Sequence, residues 1–203
     1  MFSIIIPTMW LPNAILNTIN QYVVSNLINE IIIIDNNPII RPKLPESDKI
    51  KLLTNGHNIY VNPAWNWGVL ESKNNKIILL NDDLYISDID QVLNEILKHD
   101  FDLIGLNLSM LNKGFGVKIT KKTDYMQHGF GCFMYLKKDK YKNIPEDLKV
   151  WYGDRILFES IKNVGEISFD DCIIELSKTV KSSKDIQDVI ITDKINYLKH
   201  KKK

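Results

Sequence analysis

The residues with the clearest capacity for chemistry are Asn81-Asp82-Asp83, which directly follow the apolar run Lys76 to Leu80 in the stretch KIILLNDDLYI. An apolar run of this length reads as a buried strand, and such a strand delivers whatever follows it to an exposed end. Two adjacent carboxylates there can hold a divalent ion against a diphosphate, because hard cations take oxygen ligands. Two further strand ends offer polar groups: Pro7-Thr8 after Phe2 to Ile6, and Asp35-Asn36-Asn37 after Glu30 to Ile34. A carboxylate at the second of these can accept a hydrogen bond from the N3–H of a uracil or thymine. In an open parallel sheet the carboxyl ends of the strands face one crevice, so groups far apart in sequence converge, and their combined chemistry suits a nucleotide.

Positioning those groups requires alternating strands and helices. Phe2 to Ile6 is rich in β-branched residues and closed by Pro7, which makes it a first strand. From Asn13 to Leu27 the residues Ala14, Ile15, Leu16, Ile19, Val23 and Leu27 recur near helical spacing, with Asn13 available as the cap. Glu30 to Asp35 repeats the first strand's character, and strand, helix, strand begins a parallel sheet. The proline-bearing stretch Ile39 to Asp48 is an irregular connection, after which Lys49 to Thr54 supplies a third strand ending at Asn55-Gly56. Asn62 to Lys73 is a helix entered through Pro63; Gly68 in its interior costs about 1 kcal/mol relative to Ala, which points to close packing.

Beyond the Asp82-Asp83 strand, Ile89 to Leu97 reads as a helix capped by Ser87 or Asp88, and Phe101 to Leu108 as a strand. Gly114 to Thr120 and Gly129 to Leu136 read as short antiparallel edge strands. Trp151 to Asn163 returns to helical spacing, with Ile156, Leu157, Ile161 and Val164 on one side, and Glu166 to Leu176 gives one more strand. From Ser177 the chain is polar, then weakly amphipathic through Ile186, Val189, Ile190, Ile195 and Leu198, then pure Lys, the pattern of a frayed and solvated C-terminus.

Composition narrows the partners. At 203 residues the chain has the size of one domain with a core that needs no disulfide or structural metal, and its net charge of +1 gives no electrostatic case for nucleic acid. Cys132 and Cys172, in no CxxC spacing, imply a reducing compartment. The apolar N-terminal run lacks a basic leader and stops at Pro7, too short for a signal peptide or a spanning helix. A soluble, cytoplasmic protein is the expectation. The terminal lysines can add weak contact with an anionic membrane surface, about 1 kcal/mol each near lipid. Abundant Ile, Asn and Lys, with Arg41 and Arg155 the only arginines, match an AT-rich genome, a viral one among the candidates, in which case the compartment is the host cytoplasm.

The segments IIIPT (Ile4 to Thr8), IIIIDNNP (Ile31 to Pro38), NPAWNWG (Asn62 to Gly68) and LLNDDL (Leu79 to Leu84), in that order and spacing, resemble the nucleotide-binding half of family 2 glycosyltransferases with the GT-A fold. GFGCFMYLKKD (Gly129 to Asp139) and WYGDRILFESIKNVG (Trp151 to Gly165) look like that family's acceptor-side strand and its Glu-Asp helix start. The resemblance implies an α/β, Rossmann-like mixed and mostly parallel sheet flanked by helices, with a short antiparallel acceptor-side extension. It divides a single domain, 1–203, into a nucleotide-sugar half (1–87), an acceptor and catalytic half (88–176) and a tail (177–203).

The activity so implied is inverting, metal-dependent transfer of a sugar from a nucleotide-diphosphate sugar, uridine-linked by expectation, to a hydroxyl of a glycan or glycoconjugate. Asp83 stands where the family's final DxD aspartate binds Mn²⁺ or Mg²⁺, with Asp82 beside it and Asn81 able to hydrogen-bond a ribose or sugar hydroxyl. Pro7, Thr8, Asp35, Asn37, Asn55, Asn62 and Asn66 complete the expected donor contacts. Asp154 stands in the position of the family's general base, and Arg155, Trp151 and His128 are candidates for sugar or acceptor contact. Two departures stand out: Trp151-Tyr152-Gly153 replaces the acidic residue that often precedes the base, and Glu175 occurs where many members carry a His.

Competing chemistry is less well served. A nucleotidyltransferase wants a Gly-rich basic loop after the first strand, and PTMWLPNAIL has neither Gly nor Lys. A haloacid-dehalogenase-type phosphatase wants a second acid that Asp35-Asn36-Asn37 lacks. The alternative from a different class is a non-catalytic sugar-nucleotide or glycan-binding module on the same fold.

Overall fold

The computed structural model describes residues 1–122, 125–175 and 184–202. In chain order the elements are β1 (Phe2–Thr8), α1 (Ile15–Val24), β2 (Ile28–Asp35), β3 (Ile50–Thr54), α2 (Val61–Glu71), β4 (Lys76–Leu80), β5 (Leu84–Ile86), α3 (Ile89–Leu97), β6 (Leu103–Leu106), β7 (Lys118–Lys121), β8 (Phe133–Lys137), α4 (Gly153–Ser160), β9 (Val164–Ser168), β10 (Cys172–Ile174) and α5 (Lys184–His200). The main sheet has the order β3-β2-β1-β4-β8-β6-β9-β7, and β5 pairs with β10 in a small antiparallel sheet. Strands β3, β2, β1 and β4 are mutually parallel, so Thr8, Asp35 and Leu80 end on one edge of the sheet.

Alternating side chains along β1 build the core on both faces. Ile4 and Ile6 pack with Ile15, Ile19 and Tyr22 of α1 and with Val92 and Ile96 of α3. Ile5 points the other way, into a layer formed with Ala64, Trp65 and Val69 of α2, Leu157 of α4 and Tyr197 of α5. Each fully buried Ile contributes about 1.5–3 kcal/mol, which is why strands covered on both faces read as unbroken apolar runs. Gly68 permits this packing directly, since a Cβ on it would lie 2.4 Å from Ile5 Cγ2.

Several boundaries depart from the pattern-based expectation. Gly129 to Cys132 is not strand: Gly129 is left-handed (φ +80°) and Phe130–Cys132 is a 3₁₀ turn. The strand that follows, β8, is central, flanked by β4 and β6 and antiparallel to both, so of the two expected edge strands β7 alone lies at an edge. Pairing on both sides explains why Phe133 to Leu136 are buried. The helix expected from Trp151 starts at Gly153, because Tyr152 adopts a left-handed backbone (φ +68°), and it ends at Ser160, leaving Val164 to β9. The last expected strand is broken at Phe169 to Asp171, where Asp171 has φ +53°; its end at Leu176, like the polar stretch 177–183 and Lys203, lies outside the described residues.

Capping also differs at one helix and agrees at another. Asp88 caps α3 by accepting the Gln91 N–H at 2.9 Å. For α1 the cap is remote: the Glu175 carboxylate accepts the N–H groups of Asn13 (3.1 Å) and Ala14 (2.8 Å), a negative charge at the positive end of the helix dipole. The amphipathic C-terminal segment is a docked helix, not a frayed end. Tyr197 of α5 stacks on Tyr152 at 4.6 Å, and its hydroxyl donates to Glu159 Oε1 at 2.7 Å.

Candidate active site

A cavity of about 700 Å³ opens at the carboxyl ends of β1 and β4 and reaches the start of α4. Pro7, Thr8, Asn81, Asp82 and Asp83 line it from the ends of β1 and β4, and His128, Trp151, Asp154 and Arg155 line it from the second half of the chain. Residues separated by more than seventy positions thus meet at the point where the strand order departs in both directions from β1, the usual place for a ligand in an open α/β sheet.

Strand β4 ends at Leu80 and Asn81 to Asp83 form a tight turn into β5, with the Leu84 N–H donating to the Asn81 carbonyl at 3.3 Å. The turn is tied to the sheet by the Asn81 N–H, which donates to the Cys132 carbonyl at 3.0 Å, and to β10 by the Glu175 N–H, which donates to the Asp83 carbonyl at 2.8 Å. Thr8, almost completely buried, donates its hydroxyl to Asp82 Oδ2 at 2.7 Å while accepting the Trp10 N–H at 2.8 Å. Burial pushes the Asp82 carboxyl up to about 6; the Thr8 hydroxyl opposes the shift and the neighbouring Asp83 charge adds to it.

In the second half of the chain, Asp154 occupies the first turn of α4 and accepts the Arg155 N–H at 2.8 Å. Burial raises its carboxyl above the usual range, partly offset by that N–H and by the Arg155 charge. The Phe130–Cys132 turn presses against it: a Cβ on Gly131 would sit 2.9 Å from Asp154 Cβ, so only glycine fits. Gly153 is equally constrained, with its would-be Cβ 2.1 Å from Asn62 Oδ1.

Five of the expected donor contacts, Asp35, Asn37, Asn55, Asn62 and Asn66, do not line this cavity. Asp35 is buried at the end of β2, where it accepts the Trp10 indole N–H (2.7 Å), the Arg41 guanidinium (3.0 Å) and the Asn37 N–H (3.1 Å). Asn62 donates to the Trp151 carbonyl at 3.1 Å. Asn66 accepts from the Tyr141 hydroxyl and the Ile144 N–H and donates to the Ile144 carbonyl, so both its ends are used inside the protein. Asn55 is exposed beside His57. Of these asparagines, Asn62 is the one bonded to a residue that lines the cavity, Trp151.

Other lining residues escaped sequence reasoning. Asn36, Asn58 and Tyr60 form the end nearest β2, where Asn36 Oδ1 accepts the Ile59 N–H at 3.1 Å and Asn58 Oδ1 the Tyr60 N–H at 2.8 Å. Tyr60 has φ +68°, a left-handed conformation that nothing in a tyrosine announces. Ile186 and Ile190 of α5 complete the wall from a segment whose polar surroundings concealed it. Among the described residues no three His, Cys, Asp or Glu side chains gather into a metal-holding cluster. The chemistry of Asn81, Asp82 and Asp83, oxygen donors on one wall, nevertheless fits a hard divalent ion whose remaining ligands come from elsewhere.

No curated protein matches the chain in sequence. The fold is similar to that of Staphylococcus aureus TarS: a structure of its residues 1–349 in complex with UDP superimposes with TM-score 0.59 at 14% identity, covering 83% of this chain and 60% of that one. The same fragment in complex with UDP-GlcNAc gives 0.56 at 14% identity over 93% and 64% of the two chains. HddC from Yersinia pseudotuberculosis gives 0.51 at 14% identity over 83% and 91%. The chain therefore spans about 60% of the TarS fragment it matches. Residues 3–151, well over half of the sequence and including both sides of the sheet edge around Thr8 and Asp82, match the model for glycosyl transferase family 2. With that match and the mostly parallel GT-A sheet, the chain belongs to glycosyltransferase family 2.

Proposed function

We propose that this chain transfers a sugar, with inversion, from a uridine-diphosphate sugar to a hydroxyl of a glycan or glycoconjugate. The observation that carries the reading is that one cavity is lined both by Thr8, Asp82 and Asp83 and by Asp154 and Arg155. The UDP and UDP-GlcNAc named for the TarS complexes support the choice of donor.

In this mechanism Asp154 takes the proton of the acceptor hydroxyl as its oxygen attacks the anomeric carbon from the face opposite the diphosphate. The bond from that carbon to the diphosphate oxygen breaks, the nucleoside diphosphate leaves, and the proton passes from Asp154 to solvent. A carboxyl raised above its ordinary range is a stronger base once ionised, which suits the task. Arg155 supplies a positive charge beside Asp154, and Trp151 an apolar face for a sugar ring. Asp83, with Asp82 and Asn81, would hold Mn²⁺ or Mg²⁺; such an ion neutralises charge on the departing diphosphate. Thr8 keeps Asp82 oriented and favours its ionised form.

A thermal-shift panel of nucleotides and nucleotide sugars, with and without Mn²⁺, tests donor choice, since a ligand that binds only the folded state raises its apparent stability. The expected result is stabilisation by UDP and UDP-sugars that requires the ion, followed by measurable donor hydrolysis or transfer. Stabilisation without any turnover across a panel of acceptors would replace the enzyme reading with a binding module.

A further inference from the structure

We infer that Asp193 of α5 is a positioning residue for the catalytic wall, holding the backbone that presents Trp151 and Asp154. This rests on the reading of Asp154 as the base. Asp193 is fully buried, and its carboxylate accepts three successive backbone N–H groups: Lys149 at 2.9 Å, Val150 at 2.8 Å and Trp151 at 2.8 Å. Three consecutive amides converging on one carboxylate form an anion nest, here filled by a side chain from more than forty residues away.

The clamped segment runs straight into the active site. Lys149 to Trp151 precede the left-handed Tyr152, which sets the direction of α4 and hence of Asp154 two residues on. Asn62 grips the same segment from the opposite side, donating its backbone N–H to the Lys149 carbonyl at 2.9 Å and its amide to the Trp151 carbonyl at 3.1 Å. The segment is therefore held through both its N–H and its C=O groups. One turn further along α5, Tyr197 stacks on Tyr152 and donates to Glu159, fixing the body of α4 as well.

The location of this clasp is informative. The family match ends at residue 151, so Asp154 and α5 both lie beyond the matched residues, and Ile186 and Ile190 of α5 line the cavity. A buried carboxylate without its acceptor role would be costly, and a buried amide without an acceptor equally so. Asp193 and the 149–151 amides satisfy each other, and the geometry of the base is tied to the docking of α5.

The test is Asp193→Asn, which keeps the shape but puts an NH₂ where an oxygen accepts, with Asp193→Glu as the conservative control. Transfer kinetics and backbone hydrogen exchange are measured in wild type and both variants. Asp193→Asn should lower kcat by about 10- to 100-fold while the donor KM stays within about twofold, since misplacement near the chemistry costs rate and the donor wall is untouched. Exchange should rise in 149–155 and stay unchanged in β1 and β4, and Asp193→Glu should recover part of kcat. Unchanged kcat in Asp193→Asn, or a loss that accompanies equal exchange increases in β1 and β4, overturns the inference. Should Asp193→Asn fail to fold, Tyr197→Leu is read the same way, with a fall of about 3- to 10-fold in kcat expected and no change contradicting the clasp. Absence of transfer in the wild type would sink the proposed function, whereas active wild type with fully active variants sinks only the role of Asp193.

Discussion

The two walls of the cavity, the proposed donor wall and the proposed catalytic wall, are built by different means. The donor wall is a property of strand ends: Thr8 closes β1, Asn81 to Asp83 close β4, and parallel pairing of β1 with β4 brings them together, with one hydrogen bond from Thr8 to Asp82 joining them. The catalytic wall has no strand beneath its key residues. Trp151 and Asp154 are held by contacts reaching to Asn62 and Asp193, and by glycines at 131 and 153 that let neighbouring segments approach. Sheet register fixes the first wall, while the second depends on distant side chains satisfying one loop's backbone.

That difference can be broken in steps of decreasing size. Asp154→Asn removes the proposed base and should lower transfer by about 100- to 10,000-fold in kcat without weakening donor binding, measured by steady-state kinetics with parallel calorimetry. Gly153→Ala forces a Cβ against Asn62 Oδ1 at a buried position and should destabilise by about 1–3 kcal/mol. In a domain of this size that lowers Tm by about 2–4 °C per kcal/mol, with kcat reduced more than donor affinity.

A third test uses pH. Asp82, raised by burial from 3.8 to about 6, holds a proton in the folded state that the unfolded chain has lost between those values. Stability of the metal-free protein should therefore be highest below about pH 4 as far as this group is concerned, and fall as pH rises toward about 6; Asp154, raised by the same cause, acts in the same direction. Asp82→Asn should flatten that slope in a Tm-against-pH series, and Thr8→Val, by removing the hydroxyl that favours the ionised form, should extend it to higher pH. The smallest effect belongs outside both walls: Glu175→Gln weakens the charged cap on α1 and should cost about 0.3–1 kcal/mol with activity unchanged, read from chemical denaturation.

The same contrast explains what was legible in the sequence. Strands β1, β2 and β4, the helix entered near Pro63 and its Gly68, and the pair Asp82-Asp83 all announce themselves through local runs and spacing. Asp35 looked equally exposed at a strand end, but Trp10 and Arg41 fold over it, and two side chains from other segments leave no local trace. The left-handed Tyr60 and Tyr152 have no compositional signal, since tertiary packing alone forces them. The C-terminal helix was hidden for a similar reason: Asp193 and Tyr197 look like surface residues until the 149–151 amides and Tyr152 are placed against them.

The central claim, a donor wall separable from a catalytic wall within one site, is tested most directly by titrating UDP calorimetrically into wild type, Asp83→Ala and Asp154→Asn, each with and without Mn²⁺. The account predicts ion-dependent binding in wild type, retained within about twofold in Asp154→Asn and weakened at least about tenfold in Asp83→Ala. Equal ion-dependent binding in Asp83→Ala and wild type, or loss of UDP binding in Asp154→Asn, would contradict it.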